Sequence, residues 1–412
     1  MTAVRVPEFA PDIAAPAATL GVARLMRLIQ VEAELTVVWD GLMARLASDP
    51  GDPGALLDVS TLLQMSGQTE RAMELQAQAI ARQPCYRTVH GAGGGLRILA
   101  FMAPGDLMAN TPLDFLLEGS DAELTLYYLD GPPPPAERLP DHDVAFLAVG
   151  QSDEGSALLR SLEGVFEAWP VPVLNGDPAL IEGFGREGVA ERLAGAPGVL
   201  CPGAVRFDRG ELIQLALRAE GGAPALGDVA FPLIVRPVGS HAGRGLEKLA
   251  VPGDLVAYLP GQTAAEFYVS PFVDYSGPDG LFRKLRVVFV AGRPFLSHLA
   301  ISEHWMVHYL NAGMAESAAK RAEEADMMAT FDDGFVARHA TALSAVCQRL
   351  PLDYFGIDCA ETAEGQLLVF EADVALIVHN TDPPDLYPYK PPAMLKLFAA
   401  VLEAFTARAR RL

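Results

Sequence analysis

The stretch "FGIDCAETAEGQLLVFEAD", residues 355–373, reads as two short apolar strands joined by a turn. With residues 362–365 as the turn, Glu361 pairs with Gln366 and Asp358 stands opposite Val369. Side chains alternate between the two faces of a strand, and cross-strand partners share a face. Asp358, Glu371 and Asp373 are therefore expected on one face, with Ile357, Cys359, Leu368 and Phe370 on the other. Three carboxylates on one face repel one another unless a cation sits among them. Their surroundings, "QLLVFEADVALIV" (residues 366–378), are apolar on both sides, which favours an embedded site over a solvated acidic face. A hard divalent cation whose shell is completed by phosphate oxygens suits such a set, Mg²⁺ first and Mn²⁺ as a substitute. A structural Ca²⁺ site is the competing reading.

Upstream, "FPLIVRPVGSHAGRGLEKL" (residues 231–249) supplies a partner feature. Leu233 to Val235 form a strand, Arg236 and Pro237 follow, and the loop carries Gly239, Gly243 and Gly245. Glycines let backbone N–H groups close around an anion where side chains would obstruct. The loop lacks the GK[ST] ending of a P-loop and no Rossmann pattern follows it, so by itself it indicates only a phosphate. That phosphate weighs against Ca²⁺. Between the two features, "EFYVSPFVDY" (266–275) precedes "LRVVFVAGRPFLSHLAI" (285–301), a hairpin that turns at Gly292. Helices are expected at 179–193, 211–218, 333–350 and 394–410.

The chain has 412 residues, enough for several domains, and half of them are hydrophobic. Its 31 basic and 52 acidic residues leave a net charge of −21. That balance excludes nonspecific nucleic-acid binding and adhesion to anionic membranes. Four cysteines without a CxxC pair disfavour a zinc knot or a disulfide framework. There is no apolar run of spanning length and no basic-then-apolar leader, so a cytoplasmic protein is expected.

Residues 1–90 are expected to be all-α. Leu56, Val59, Leu62 and Leu63 recur at helical spacing, Gly67 interrupts, Ala72, Leu75, Gln76 and Ala79 resume, and Pro84 stops the pattern. Ser60, Ala72 and Ala79 are small enough for two helices to approach closely. The pattern looks like one tetratricopeptide repeat over 53–86, with a partial repeat around 39–50, since Pro50 and Pro84 lie 34 residues apart. An ordinary helical hairpin is the alternative. "GAGGG" (91–95) marks a boundary. Apolar runs at 96–102, 123–129, 144–149 and 171–175, with a helix at 156–168, predict a parallel α/β domain over 91–175. Residues 176–412 form the third, α+β, part.

A basic residue ending a strand before a glycine-rich loop, the "EFYVSPFV" segment, an arginine-bearing hairpin and the Asp358-x12-Glu371-x-Asp373 pattern occur here in one order and spacing. Together they resemble the ATP-grasp superfamily, and most of all the carboxylate–amine ligases of the D-alanine–D-alanine ligase and ribosomal protein S6 glutamate ligase type. The resemblance covers about residues 96–405 and departs at Asp373, where the family usually has asparagine. It implies an α/β domain and two α+β lobes that clamp ATP and Mg²⁺. It places Arg236, and Arg186 before it, on the phosphates, with Gly239, Ser240, His241, Gly243, Arg244 and Gly245 closing over them. The adenine would lie against Tyr268, Val269, Ser270, Phe272 and Val273. Asp274 would hold the ribose, with Asp279 as the alternative. Arg286 would face the reaction centre together with Lys284, and Arg236, Lys284 and Arg286 form the candidate catalytic set. His298, Ser302, His304, His308, Asn380 and Thr381 are candidate substrate contacts. His304 and His308 share a helical face if that segment is helical, and no HExxH motif accompanies them. The implied reaction activates a carboxylate as an acyl phosphate and passes it to an amine, each from a small molecule or a peptide. A phosphotransferase on the same fold and a noncatalytic nucleotide-binding repeat scaffold are the rival readings. The N-terminal helices are candidates for a protein or peptide partner, or for a homodimer contact.

Overall fold

The computed structural model describes Ile13 and residues 15–29, 32–220, 231–240 and 243–410. Chain contacts divide it into two units. The first comprises Met1–Glu182, Val374–Pro383 and Met394–Leu412, and the second Gly183–Asp373 and Pro384–Ala393.

The first unit is built on a six-stranded sheet. Its strands are β1 (Ala17–Ala18), β2 (Cys85–Val89), β3 (Arg97–Met102), β4 (Glu123–Tyr128), β5 (Val144–Leu147) and β6 (Val173–Leu174), in the order β1-β2-β4-β3-β5-β6. β3 runs parallel to β4 and β5, and β5 parallel to β6, while β2 is antiparallel to β4. The four expected apolar runs are thus all strands of one layer. They read as continuous apolar segments because a strand buried on both faces has no polar side.

Helices α1 (Val22–Ile29), α2 (Glu32–Ser48), α3 (Pro53–Met65) and α4 (Thr69–Arg82) precede β2. The expected helical hairpin is α3–α4. Asp52 caps α3 by accepting from the Ala55 N–H at 3.0 Å, Gly67 turns the chain at φ 79°, and Ser60 Oγ donates to the Ala72 carbonyl at 2.7 Å. The N-terminal segment is nevertheless not all-α. Pro84 stops α4, and the aromatic and β-branched "CYRTV" that follows joins the sheet as β2. Leu56, Leu57 and Ala79 pack against Tyr86 and Tyr128 of that sheet. Helices α5 (Leu113–Leu116), α6 (Ser156–Ser161) and α7 (Pro178–Glu182) complete the connections. α6 ends well short of the expected residue 168, and Gly164 takes a left-handed φ of 72° just beyond it.

The second unit opens with α8 (Arg186–Leu193). The helix expected over 179–193 is broken at "GFG", residues 183–185. Strands β7 (Val199–Leu200), β8 (Val205–Asp208), β9 (Leu233–Pro237), β10 (Glu247–Leu249) and β11 (Glu266–Pro271) follow, with α9 (Arg209–Glu220) and α10 (Pro252–Tyr258) between them. A four-stranded sheet, β10-β9-β11-β8, packs Leu233, Val235, Phe267 and Val269 against Leu212 and Leu255 of the two helices. A five-stranded sheet, β13-β12-β14-β15-β7, uses β12 (Phe282–Val290), β13 (Arg293–Ser302), β14 (Tyr354–Glu361) and β15 (Leu367–Asp373). The β12–β13 turn places Ala291 at φ 48° and Gly292 at φ 78°, the left-handed pair a tight hairpin requires. The helix expected at 333–350 is α12 (Ala340–Arg349), preceded by a wide turn at Asp332–Val336 and by an unanticipated α11 (Ala318–Thr330). The final helix α13 (Lys390–Ala409) buries Leu397, Phe398, Val401 and Phe405, with the Phe405 ring 5.7 Å from Phe146. Among the described residues no helix is long and apolar enough to cross a membrane.

Candidate functional site

Four neighbouring strands of the five-stranded sheet each place one polar residue in a single row. His298 on β13 pairs with Arg286 on β12, Arg286 with Asp358 on β14, and Asp358 with Glu371 on β15. Asp373 lies two residues on, opposite Gly356. Asp358 and Glu371 share a face as expected, by a different route. The turn is one residue longer than anticipated, so Glu361 pairs with Leu367 rather than Gln366. A β-bulge then shifts the register once more between Asp358 and Cys359. A one-residue slip reverses every face, and the second slip restores it. Leu368, expected on the face of Ile357 and Cys359, instead pairs with Ala360 and takes the Asp358 face. Phe370 is the bulged residue, with its ring 5.0 Å from Tyr275.

The row is densely charged. Arg286 Nε donates to Asp358 Oδ1 at 2.8 Å and its Nη2 to Oδ2 at 3.1 Å, and Lys284 Nζ donates to Oδ2 at 2.8 Å. The Asp358 side chain is only 2% exposed. Burial by itself would raise its pKa, but Arg286 and then Lys284 outweigh that and hold the carboxyl well below the usual carboxylate range. Glu371 follows the same pattern: burial raises it, the Arg186 guanidinium opposes, and the balance lies below the ordinary value. Arg186, the first residue of α8, donates through Nη2 to Glu371 Oε2 at 2.5 Å and through Nη1 to the bulged Phe370 carbonyl at 3.4 Å. Arg236 is pushed down to about 10, first by burial and then by the like charge of Arg186, while Glu371 acts in the opposite sense. It also donates to the Ser240 carbonyl, tying the glycine-rich loop to the end of β9. Arg186, Arg236, Lys284, Arg286, His298, Asp358 and Glu371 are therefore one cluster within the second unit, and Asp373 acts on Arg286 through its charge.

The loop is shaped for close approach. Gly245 has φ 67°, and a Cβ there would fall 2.8 Å from Pro237 Cδ; one on Gly243 would fall 2.8 Å from Met306 Sδ. Gly239 and exposed Arg244 belong to the same loop, and His241 lies outside the described residues. Tyr268 pairs across β11 and β9 with Arg236. Val269 is buried in the lobe core, which leaves only its backbone for a ligand. Ser270 lies near the end of β11, and Val273 follows it. Phe272 has Lys248 Nζ 3.5 Å above its ring and Trp305 beside it at 5.8 Å. Asp274 is bonded to the Ser276 N–H at 2.9 Å, and Asp279 pairs with Arg283 at 2.7 Å.

Other expected contacts fall differently. Residues 303–308 are not helical, so His304 and His308 do not share a helical face; His304 is exposed, and its N–H donates to buried Ser302 Oγ at 3.0 Å. His308 is shifted down by burial and then by Lys284 and Arg286, whose charges it feels. Asn380 and Thr381 belong to the first unit, where Thr381 is buried with Oγ1 2.8 Å from His379 Nδ1. Among the described residues no three His, Cys, Asp or Glu side chains are grouped to hold a metal ion. Arg286 and Lys284 compensate Asp358, and Arg186 compensates Glu371.

Sequence reasoning missed a second buried pair. Glu324 on α11 is fully buried and accepts from the Leu299 N–H at 3.0 Å and the Tyr389 hydroxyl at 2.7 Å, with Lys390 Nζ 3.6 Å away. Lys390 Nζ also bonds the Tyr309 hydroxyl, and the Tyr309 ring lies 4.8 Å from His298. His298 is driven well below its ordinary pKa, first by burial and then by Arg286, and stays neutral. The only trace of this pair in the sequence is a lysine amid the prolines and tyrosines of "YPYKPP", residues 387–392.

No family model and no curated protein matches the chain. Solved structures of low identity align with most of it. An ATP-grasp RimK domain protein from Sphaerobacter thermophilus is 15% identical over 75% of this chain and 99% of its own, with a TM-score of 0.42. D-alanine–D-alanine ligase from Bacillus anthracis, complexed with ATP, is 13% identical over 77% of this chain and 98% of its own, with a TM-score of 0.42. VanG D-Ala:D-Ser ligase from Enterococcus faecalis is 11% identical over 76% of this chain and 99% of its own, with a TM-score of 0.45.

Proposed function

We propose that the chain is an ATP-grasp ligase that activates a carboxylate with ATP and joins it to an amine. The observation that carries this reading is the polar row on four strands, flanked by Arg186 and Arg236 and by a glycine loop anchored to Arg236. Four cations gathered around Asp358 and Glu371, with Arg236 among them tied to a glycine loop, suit a triphosphate, whose transfer needs charge compensation and alignment more than covalent help from the protein.

Arg236 and Arg186 bind the phosphates from the loop side, and the backbone N–H groups around Gly243 and Gly245 close over them. Arg286 and Lys284 stand where charge develops on the transferred group, aimed by their bonds to Asp358. Asp358 is thus a positioning residue. For a divalent cation, Glu371 and Asp373 fit: two carboxylates on one strand face, with a hard-oxygen donor set. Asp358 fits less well, since both its oxygens already accept from Arg286 and Lys284. When bound, Mg²⁺ supplies further neutralisation of the phosphate oxygens.

In the reaction, a carboxylate oxygen attacks the γ-phosphorus and the bond to the β–γ bridging oxygen breaks, releasing ADP. The amine nitrogen then attacks the acyl carbon, the C–O bond to phosphate breaks, and the amine proton leaves with the solvent or the phosphate. The substrates are a small-molecule or peptide carboxylate and amine, and the N-terminal helices offer a surface for a peptide or protein partner.

Hydroxylamine with MgATP and a pool of amino acids and peptides tests the reaction. Hydroxamate formation with release of ADP is expected, whereas a stable phosphorylated product without hydroxamate would identify a phosphotransferase. MgATP titration of the parent chain and of Glu371→Gln and Asp358→Asn tests the site. Unchanged ATP affinity and turnover in both variants would sink the assignment and leave a scaffold.

A further inference from the structure

The first unit contains a partly enclosed cavity of ≈90 Å³ between the N-terminal helices and the sheet. At ~30 Å³ per water it has room for about three waters, a volume for a short organic molecule and not for a nucleotide. Leu57 of α3, Phe115 of α5 and Leu126 of β4 supply apolar wall. Most of the polar side chains around it are already bonded within the protein. Gln76 exchanges two hydrogen bonds with the Gly105 backbone, Asn110 two with Ala103, and Thr111 donates to the Val374 carbonyl.

Three lining residues differ. Gln64 Oε1, Thr88 Oγ1 and Asp114 Oδ1 are buried atoms with no aligned hydrogen bond among the described residues, although Asp114 Oδ1 stands 3.2 Å from His90 Nε2. An amide oxygen and a carboxylate oxygen accept only, and a hydroxyl can do either. Buried acceptors left unpaired are costly, so the site lacks donors. Among the described residues no lysine, arginine or histidine lines the cavity, and two carboxylates do, Asp106 and Asp114. An anion would meet no counter-charge here, whereas a cation meets Asp114 and the field of a chain with a net charge of −21.

We propose that this cavity binds a short apolar primary amine in its ammonium form. Its N–H groups serve the side-chain oxygens of Gln64, Thr88 and Asp114, and its alkyl body lies against Leu57, Phe115 and Leu126. Nothing in the proposal depends on ATP chemistry in the second unit.

Met26 and Met102 also line the cavity and report on its occupancy through ¹³C-methyl NMR. The full chain is titrated with isobutylammonium, isobutanol and isobutyrate at fixed pH and ionic strength. Isobutylammonium is expected to move the Met26 and Met102 methyl signals saturably, isobutanol more weakly, and isobutyrate not at all. Thr88→Val, which keeps the side-chain shape, should weaken the ammonium about fivefold, the loss of one hydrogen bond. Gln64→Leu, on the partly exposed end of α3, gives an independent second reading should Thr88→Val fold poorly. Absence of a saturable shift, equal binding of isobutyrate, or parental affinity in both variants would overturn the proposal.

Discussion

Asp358 is the residue on which the candidate site turns. It is buried, fully charged and held by two cations, so removing one partner leaves charge that little else can compensate. Arg286→Met is expected to lower unfolding free energy in urea by about 3 kcal/mol, with Lys284 softening the loss. Adding Asp358→Asn to that variant should restore part of it, and a double variant no more stable than the single one would contradict this account. His298 sets a different signature. It is neutral in the fold, but on unfolding it can take up a proton below its ordinary 6.5. The unfolded state then binds more protons, so stability falls as pH drops from 6.5. Asp358 acts in the same sense lower down: its contribution is complete above 3.8 and is lost as pH falls toward its depressed folded value. His298→Gln should therefore flatten the urea-midpoint profile between 3.8 and 6.5, and a slope equal to the parent's in that window would refute it.

At the scale of elements, the glycine-rich loop and the β14–β15 hairpin matter most. Gly239 and Gly245 both have left-handed φ, 72° and 67°, yet only at Gly245 does a Cβ meet a neighbour. Alanine at Gly239 should cost only backbone strain, about 1 kcal/mol. Alanine at Gly245 must also displace Pro237, next to Arg236, and should weaken MgATP binding about tenfold more than Gly239→Ala does, as calorimetry can measure. Equal losses would mean that loop closure does not depend on that contact. The hairpin shows how much of the site was legible. Alternation alone placed Asp358, Glu371 and Asp373 on one face, and they are there. The longer turn and the bulge that together produce this arrangement left no mark in the apolar pattern, because an extra residue in a strand changes pairing without changing composition. Arg186 shows the same limit. Its role was inferred from a family likeness, but its partner Glu371 is 185 residues away.

At the scale of the molecule, the chain does not divide at single cuts. The first unit includes Val374–Pro383 and Met394–Leu412 as well as Met1–Glu182. Leu397, Phe398, Val401 and Phe405 of α13 are buried. Each such side chain contributes roughly 1.5–3 kcal/mol on burial, and their sum rivals a typical domain's whole stability of about 5–15 kcal/mol. A fragment of residues 1–182 is therefore expected to lack a cooperative thermal transition by circular dichroism, and one fused through a short linker to residues 394–412 should regain it. A cooperative transition in the short fragment would show that the last helix is dispensable.

The amino-acid sequence alone determined the apolar strands, the helical hairpin, the glycine loop and the presence of carboxylates and arginines of the right kind, because each of these is written in spacing over a few residues. Only the tertiary structure decided that Cys85–Val89 joins the first sheet, that the chain returns to that unit twice, that Arg286 and Lys284 compensate Asp358, and that Lys390 and Glu324 back His298. Those outcomes depend on which distant segments pair, across separations such as the 72 residues between Arg286 and Asp358. Burial then fixes each partnership, because a charge removed from water must find its counter-charge wherever the fold has brought one.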